Sequence, residues 1–182
     1  MKKTIGLAAL LAVCLGSALA ADVAIEAKVG YFSPTDKDFR SIYGGGVIYG
    51  GEARLGIFDR VMLWVEGKYF QKTGKLSFTQ EDTTLKLTSG VAGLLYAMPL
   101  ATFVDLYGGA GLDYVSYSES NIIGSVSKSG VGLAAKVGLS LTLIQHLVLD
   151  GYYEFSTVTM TPADFKINVG GHEVGLVVGV RF

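Results

Sequence analysis

The sequence predicts an all-β protein, an eight-stranded antiparallel up-and-down transmembrane β-barrel preceded by a cleavable signal peptide. Three observations predict it. Half of the 182 residues are apolar, yet the longest apolar stretches are interrupted by charges, proline and glycine clusters. In segment after segment, apolar residues alternate with charged residues and glycine, which gives a strand two unlike faces. The connections between segments alternate between short and long, as in a barrel with turns on one side of a membrane and loops on the other.

The N-terminus reads as an export signal. Lys2 and Lys3 supply the positive region, "IGLAALLAV" (5–13) the apolar core and "ALA" (18–20) the cleavage site. Cys14 in "LAVC" suggests lipidation, but Val13 is a poor small residue for such a site and "ALA" follows it. The expected domains are a signal peptide over 1–20 and a barrel over 21–182. With Cys14 removed no cysteine is left, so disulfides, thiol nucleophiles and thiolate metal sites are excluded. Losing Lys2 and Lys3 leaves 13 basic against 16 acidic residues, a net charge of about −3. That balance gives no reason to expect nucleic acid as a partner.

The strands are expected at 22–33, 46–58, 61–72, 84–98, 103–117, 130–142, 147–156 and 172–182, each close to the length a tilted strand needs to cross a bilayer. "DR" (59–60), "PLAT" (99–102) and "LIQH" (143–146) are short turns. Residues 34–45, 73–83, 118–129 and 157–171 are long polar loops. A helical reading of 93–112 or 131–149 fails on Pro99, Asp105 and Lys136, since a central charge costs about 2.5–3.5 kcal/mol in a spanning helix.

Within the strands one parity carries the charges. Glu26 pairs in parity with Lys28, Glu52 with Arg54, Glu66 with Lys68, Asp105 with Asp113, Asp150 with Glu154, and Glu173 with Arg181. The other parity reads Val23, Ile25, Ala27, Val29, Tyr31 in the first strand and Leu147, Leu149, Gly151, Tyr153, Phe155 in the seventh. The apolar face is expected to meet lipid and the charged face to line a lumen. Gly30, Gly56, Gly90, Gly109, Gly111, Gly132, Gly138, Gly175 and Gly179 are placed on the charged side, where small residues let long ones interdigitate. On the solvated face of a soluble sandwich or lipocalin-like barrel, glycine would only weaken the strands.

By parity the lumen holds eight acids (Glu26, Glu52, Glu66, Asp105, Asp113, Asp150, Glu154, Glu173) and six bases (Lys28, Arg54, Lys68, Lys86, Lys136, Arg181). Near balance points to internal pairing and a mostly plugged interior, with Glu26, Lys28, Glu52, Arg54, Glu66 and Lys136 near its middle. The alternative is a narrow channel for small solutes or ions. Tyr31, Tyr49, Tyr69, Tyr114, Tyr153 and Phe155 suit an outer aromatic girdle, and Phe103 and Phe182 an inner one.

The stretch "LYGGAGLDYVSY" (106–117), followed by "GVGLAAKVGLSLTL" and "HLVLDGYYEF", resembles the small eight-stranded outer-membrane barrels: the OmpA transmembrane domain, the OmpX and Ail group, and the opacity-type proteins. The resemblance covers the whole mature chain by architecture. It implies a barrel-only monomer, exported through the periplasm to the outer membrane of a Gram-negative bacterium. No peptidoglycan-binding domain is seen after Phe182. Outer-membrane lipid and lipopolysaccharide are the implied surroundings. Val178, Val180 and Phe182 resemble the C-terminal signal read by the barrel assembly machinery.

The expected role is structural or surface-interacting. Residues 41–51, "SIYGGGVIYGG", and 78–84 are candidate loops for a surface ligand. Some small barrels modify lipid A with a histidine, a serine and an acid. His172 and Glu173, with Ser127, Ser129 or Ser156, are the residues such chemistry would use, but neighbours in a strand face opposite ways. No catalytic residue is therefore assigned. Two histidines in separate segments make no metal site, and no cofactor is expected.

Overall fold

The computed structural model describes residues 22–75, 82–122, 124–144, 146–161 and 166–182. The expected signal peptide, and most of the candidate loop at 78–84, lie outside the described residues. Period-two alternation gives eight long strands: β1 (Val23–Pro34), β2 (Gly46–Phe58), β3 (Val61–Lys75), β4 (Asp82–Ala101), β5 (Val104–Asn121), β6 (Gly124–Ile144), β7 (Leu147–Thr157) and β10 (Gly171–Arg181). A short helix α1 (Lys37–Tyr43) follows β1, and β8 (Thr159–Met160) with β9 (Ile167–Asn168) forms a small separate ribbon. The long strands close into one antiparallel barrel, with β10 returning to pair with β1 from Ala24↔Arg181 to Pro34↔Gly171.

The short turns gather at one end, which is the periplasmic end by the rule for such barrels. Register shifts fall beside all three of them, between Gly56 and Phe58, Pro99 and Ala101, and Thr142 and Ile144. Pro99, expected in a turn, lies in β4 opposite Asp105 next to such a shift, a place where a missing donor is tolerated.

At the outer end the expected loop over 118–129 is strand instead. β5 and β6 stay in register up to Asn121↔Gly124, with Ser116↔Ser129, Ser118↔Ser127 and Ser120↔Ser125 on one face. The alternation never stops there. Serine replaces leucine on the outward face because that part of the hairpin stands above the lipid. β7 pairs with β6 only from Leu133↔Thr157 inward. The strands β3 to β6 therefore rise as a wall beyond the rest of the barrel.

The wall shelters a cap. Asp36 ends the turn after β1 and accepts from the backbone N–H of Asp38 and Phe39 at 3.0 and 3.1 Å, fixing the start of α1. Gly44 closes the helix at φ 64°, a left-handed conformation that glycine adopts without strain. Phe39 and Tyr43 then point into the barrel mouth, where they join Phe32, Ile48, Phe70, Leu85, Leu87, Val115, Tyr117, Val158, Met160 and Val169 in one buried apolar layer. Burial pushes the Tyr43 phenol above its ordinary titration range. The ribbon is fastened by Asn168, whose Oδ1 accepts from Val158 N and Gly170 N at 3.1 and 3.0 Å.

Candidate functional site

Below the apolar layer the interior becomes ionic. Inward positions of β1, β2, β3, β6, β7 and β10 supply its charges: Glu26 and Lys28, Glu52 and Arg54, Glu66 and Lys68, Lys136, Asp150 and Glu154, and Glu173. Lys28 lies 2.9 Å from Glu66, 3.1 Å from Glu173 and 3.4 Å from Glu154. Lys68 meets the same three carboxylates: Glu66 at 2.9 Å, Glu173 at 3.3 Å, and Glu154 in direct contact. Lys136 donates to Glu52 and, at 3.0 Å, to Glu66. Arg54 then links Glu52 at 2.7 Å, Asp150 at 2.6 Å and Glu26 at 3.1 Å. Glu66 and Glu52 each answer cations on both sides, so the network is continuous across the lumen.

Aromatic rings bracket it. The Lys28 ammonium lies 4.3 Å from the Tyr152 ring centre, and the Arg54 guanidinium 4.4 Å from that of Tyr107. Trp64, fully buried, donates its indole N–H to Glu66 at 3.2 Å. Interleaved with the charges, Trp64, Val91, Leu95, Tyr107, Ala134, Tyr152 and Val177 form a second apolar cluster. The glycines make room for these large groups. A Cβ on Gly138 would lie 2.5 Å from the Tyr107 ring, and one on Gly30 2.6 Å from the Tyr152 hydroxyl.

Nine of the ten charged residues singled out in the sequence meet in this network: Glu26, Lys28, Glu52, Arg54, Glu66, Lys68, Lys136, Asp150 and Glu154. The tenth, Arg181, sits half-exposed at the periplasmic rim, 3.5 Å from Asp22 and 3.9 Å from Asp105. Lys86 and Gly90, assigned to the lumen by parity, face outward instead; Leu85, Leu87 and Val91 turn inward. The expected near balance is thereby corrected. Seven buried acids (Glu26, Glu52, Glu66, Asp113, Asp150, Glu154, Glu173) face four buried bases (Lys28, Arg54, Lys68, Lys136) among the described residues. Asp113, placed inside by parity, accepts from Ser89 at 2.5 Å.

Between the ionic network and the apolar layer lies a cavity of about 30 Å³, room for one water. Lys68, Asp113 and Glu154 line its floor, and Phe32, Leu87 and Val115 its roof.

The residues considered for lipid A chemistry are not brought together. His172 is exposed on the outer face, 2.7 Å from the Tyr153 hydroxyl and packed on the Phe155 ring. Glu173 and Ser156 are buried on the interior face, and Ser127 and Ser129 sit on the wall opposite Ser118 and Ser116. The candidate loop at 41–51 is no loop either, being divided between α1 and β2 with Tyr43 buried and Tyr49 exposed on the barrel wall. Val178, Val180 and Phe182 all face outward. So do Tyr31, Tyr49, Tyr114 and Tyr153 near the outer end and Phe103 near the other.

A charged, self-paired interior inside an apolar exterior with aromatics at both ends is the construction of a membrane barrel. Over residues 5–182 the sequence matches the family model described as outer membrane protein beta-barrel domain. The chain belongs to this family. It is an outer-membrane β-barrel, and its fold is shared with solved structures. Outer membrane protein OprG of Pseudomonas aeruginosa superposes with a TM-score of 0.74 at 15% identity, covering 90% of this chain and 96% of OprG. Neisserial surface protein A gives 0.66 at 20% identity, covering 89% and 96%. Ail of Yersinia pestis, in a complex with the heparin analogue sucrose octasulfate, gives 0.50 at 24% identity, covering 89% and 97%. No curated protein sequence matches the chain significantly.

Proposed function

We propose that this outer-membrane barrel is a closed scaffold with a structural or surface-interaction role, and that nothing passes along its axis. One observation carries the reading: the ionic network and the capped apolar layer fill the lumen in series, with about 30 Å³ between them. Opening a path would require breaking buried ion pairs, at about 3–5 kcal/mol for each partner left alone. The role then belongs to the outer surface, and no catalytic constellation competes for it among the described residues.

Single-channel recording of refolded residues 21–182, with a heat-dependent gel shift to verify folding, tests this. Silence is the expected result. Reproducible steps altered by Glu52→Ala or Lys136→Ala would replace the reading with a narrow channel, and the excess of buried acids over bases predicts that such a channel favours cations.

The same proposal covers biogenesis. Residues 1–20 are removed on export, and Val178, Val180 and Phe182 present the strand that the assembly machinery engages before the monomeric barrel closes. Phe182→Ala is expected to lower the amount of heat-modifiable barrel in the outer membrane severalfold while leaving the urea midpoint of the assembled fraction nearly unchanged. Normal amounts in membrane fractions would remove Phe182 from that role.

A further inference from the structure

Register sets glutamates directly opposite each other on neighbouring strands three times inside the lumen: Glu154 with Glu173, Glu52 with Glu66, and Glu26 with Glu52. Like charges so placed repel each other, and each pair needs positive charge to hold it. Lys28 and Lys68 each touch both Glu154 and Glu173. Lys136 touches both Glu52 and Glu66. An ammonium has three hydrogens, enough to serve both members of a pair.

The third pair shares no lysine. Its common cation is Arg54, and both acids claim the same nitrogen: Nε lies 2.9 Å from Glu52 Oε1 and 3.1 Å from Glu26 Oε2. Nε carries one hydrogen, and Glu52 takes it. Nη2 already serves Glu52 at 2.7 Å and the Tyr107 hydroxyl at 3.3 Å, and stands 2.6 Å from Asp150. Nη1 donates to no described residue, and neither oxygen of the buried Glu26 accepts from one.

Charge around Glu26 is one-sided as well. β2 presents Glu52 and Arg54, β5 presents Tyr107, β7 presents Asp150, and Lys136 of β6 is divided between Glu52 and Glu66. Lys28, the next inward residue of β1, is taken by Glu66, Glu154 and Glu173. One guanidinium is thus left to answer Glu26, Asp150 and part of Glu52. The carboxyl groups of Glu26 and Glu52 meet within hydrogen-bond reach. Two carboxylates have no hydrogen to place between them, whereas a carboxylic acid and a carboxylate have one.

We infer that Glu26 and Glu52 form a proton-binding site, with Glu26 as the hydroxyl donor and Glu52, held by Arg54 and Lys136, as the acceptor. The proton comes from solvent as the barrel closes, and the pair then carries one negative charge. The site rests on the closed interior of the proposed function.

Infrared difference spectra of the full mature barrel in phosphatidylcholine vesicles at neutral pH test it, after a gel shift on heating shows each variant folded. The carbonyl stretch of a protonated carboxyl group is expected in wild type and absent from Glu26→Gln. Asp59→Asn, at an exposed carboxylate in the β2–β3 turn, should leave it unchanged. Isotope-labelled glutamate should shift the same band in wild type, a check that needs no variant. Glutamine mimics the neutral acid, so Glu26→Gln should keep the wild-type urea midpoint, while Glu66→Gln, whose charged partners are all cations, should lower it. An unchanged band in Glu26→Gln, or a midpoint as low as that of Glu66→Gln, overturns the assignment. A wild-type midpoint that rises in sodium against choline chloride, with no rise in Glu26→Gln, also overturns it, in favour of an alkali cation between two carboxylates. Silent single-channel recordings with the band missing overturn the proton alone; conductance steps with the band present overturn the closed lumen alone.

Discussion

At the level of the bilayer, β4 turns Leu94 toward lipid and Leu95 toward the interior, where it packs beside Trp64 and Tyr107. Near its outer end the same strand turns Lys86 outward and Leu87 inward. One continuous strand thus obeys two rules. Inside the membrane, the exterior must be apolar and the interior may be ionic if every charge is answered. Above the membrane, the exterior faces water and headgroups, so the interior is the place that apolar side chains seek. The ionic network and the apolar cap sit one above the other in one lumen, yet different solvents built them.

If so, removing one charge from the network should have the largest effect. Glu66 answers Lys28, Lys68 and Lys136 and accepts from Trp64. Glu66→Ala is expected to cost about 3–5 kcal/mol, because three ammonium groups lose their common partner in a closed interior. Urea titration of vesicle-embedded barrel, followed by the heat-dependent gel shift, measures it. A loss below about 1 kcal/mol would mean that the network is wet and replaceable, and would weaken the closed-lumen reading as well.

The two rules also explain what could be read in the sequence and what could not. In β1 the alternation of Glu26 and Lys28 with Ile25, Ala27 and Val29 is legible, because both faces lie within the bilayer and their chemistry is opposite. The same holds for Glu52 with Arg54, Glu66 with Lys68, and Asp150 with Glu154. Parity alone placed these side chains in one lumen, although which cation meets which acid depends on register around the ring. The signal inverts at the outer end. In "LKLTSG" (85–90) the charge lies outside and the leucines inside, so a rule learned in the bilayer assigns Lys86 and Gly90 to the wrong face. The serines of 118–129 mislead for the same reason, since a polar outward face above lipid looks like a loop. Arg181 has the right parity but lies one step beyond the sealed interior, where water reaches it.

The apolar cap supplies the matching perturbation. Phe70 is fully buried against Phe32, their ring centroids 5.2 Å apart at 67°. Phe70→Ala is expected to cost about 3 kcal/mol through lost burial and the cavity left behind. Glu66→Ala and Phe70→Ala should then separate in their response to salt. The first should keep its full cost in high salt, being closed to ions, and sulfate should strengthen the cap of wild type more than that of the Phe70 variant. Equal small losses for both variants would indicate that the cap is loose packing around a mobile mouth.

The smallest expected effect is the sharpest test of the inversion itself. Lys68 and Lys86 are both lysines at charged-parity positions of neighbouring strands, and sequence alone treats them alike. Lys68→Gln leaves Glu66, Glu154 and Glu173 short of a cation in a sealed interior, so its cost should approach that of Glu66→Ala. Lys86→Gln removes a charge that water and headgroups solvate, so in phosphatidylcholine vesicles without lipopolysaccharide it should shift stability by no more than about 0.5 kcal/mol. Side-by-side urea midpoints decide between them. A large loss at Lys86 would return that residue to the lumen as a fifth buried base beside Lys28, Arg54, Lys68 and Lys136. A near-zero shift would place the Lys86 charge outside the structural network, as its exposed outward position on β4 requires.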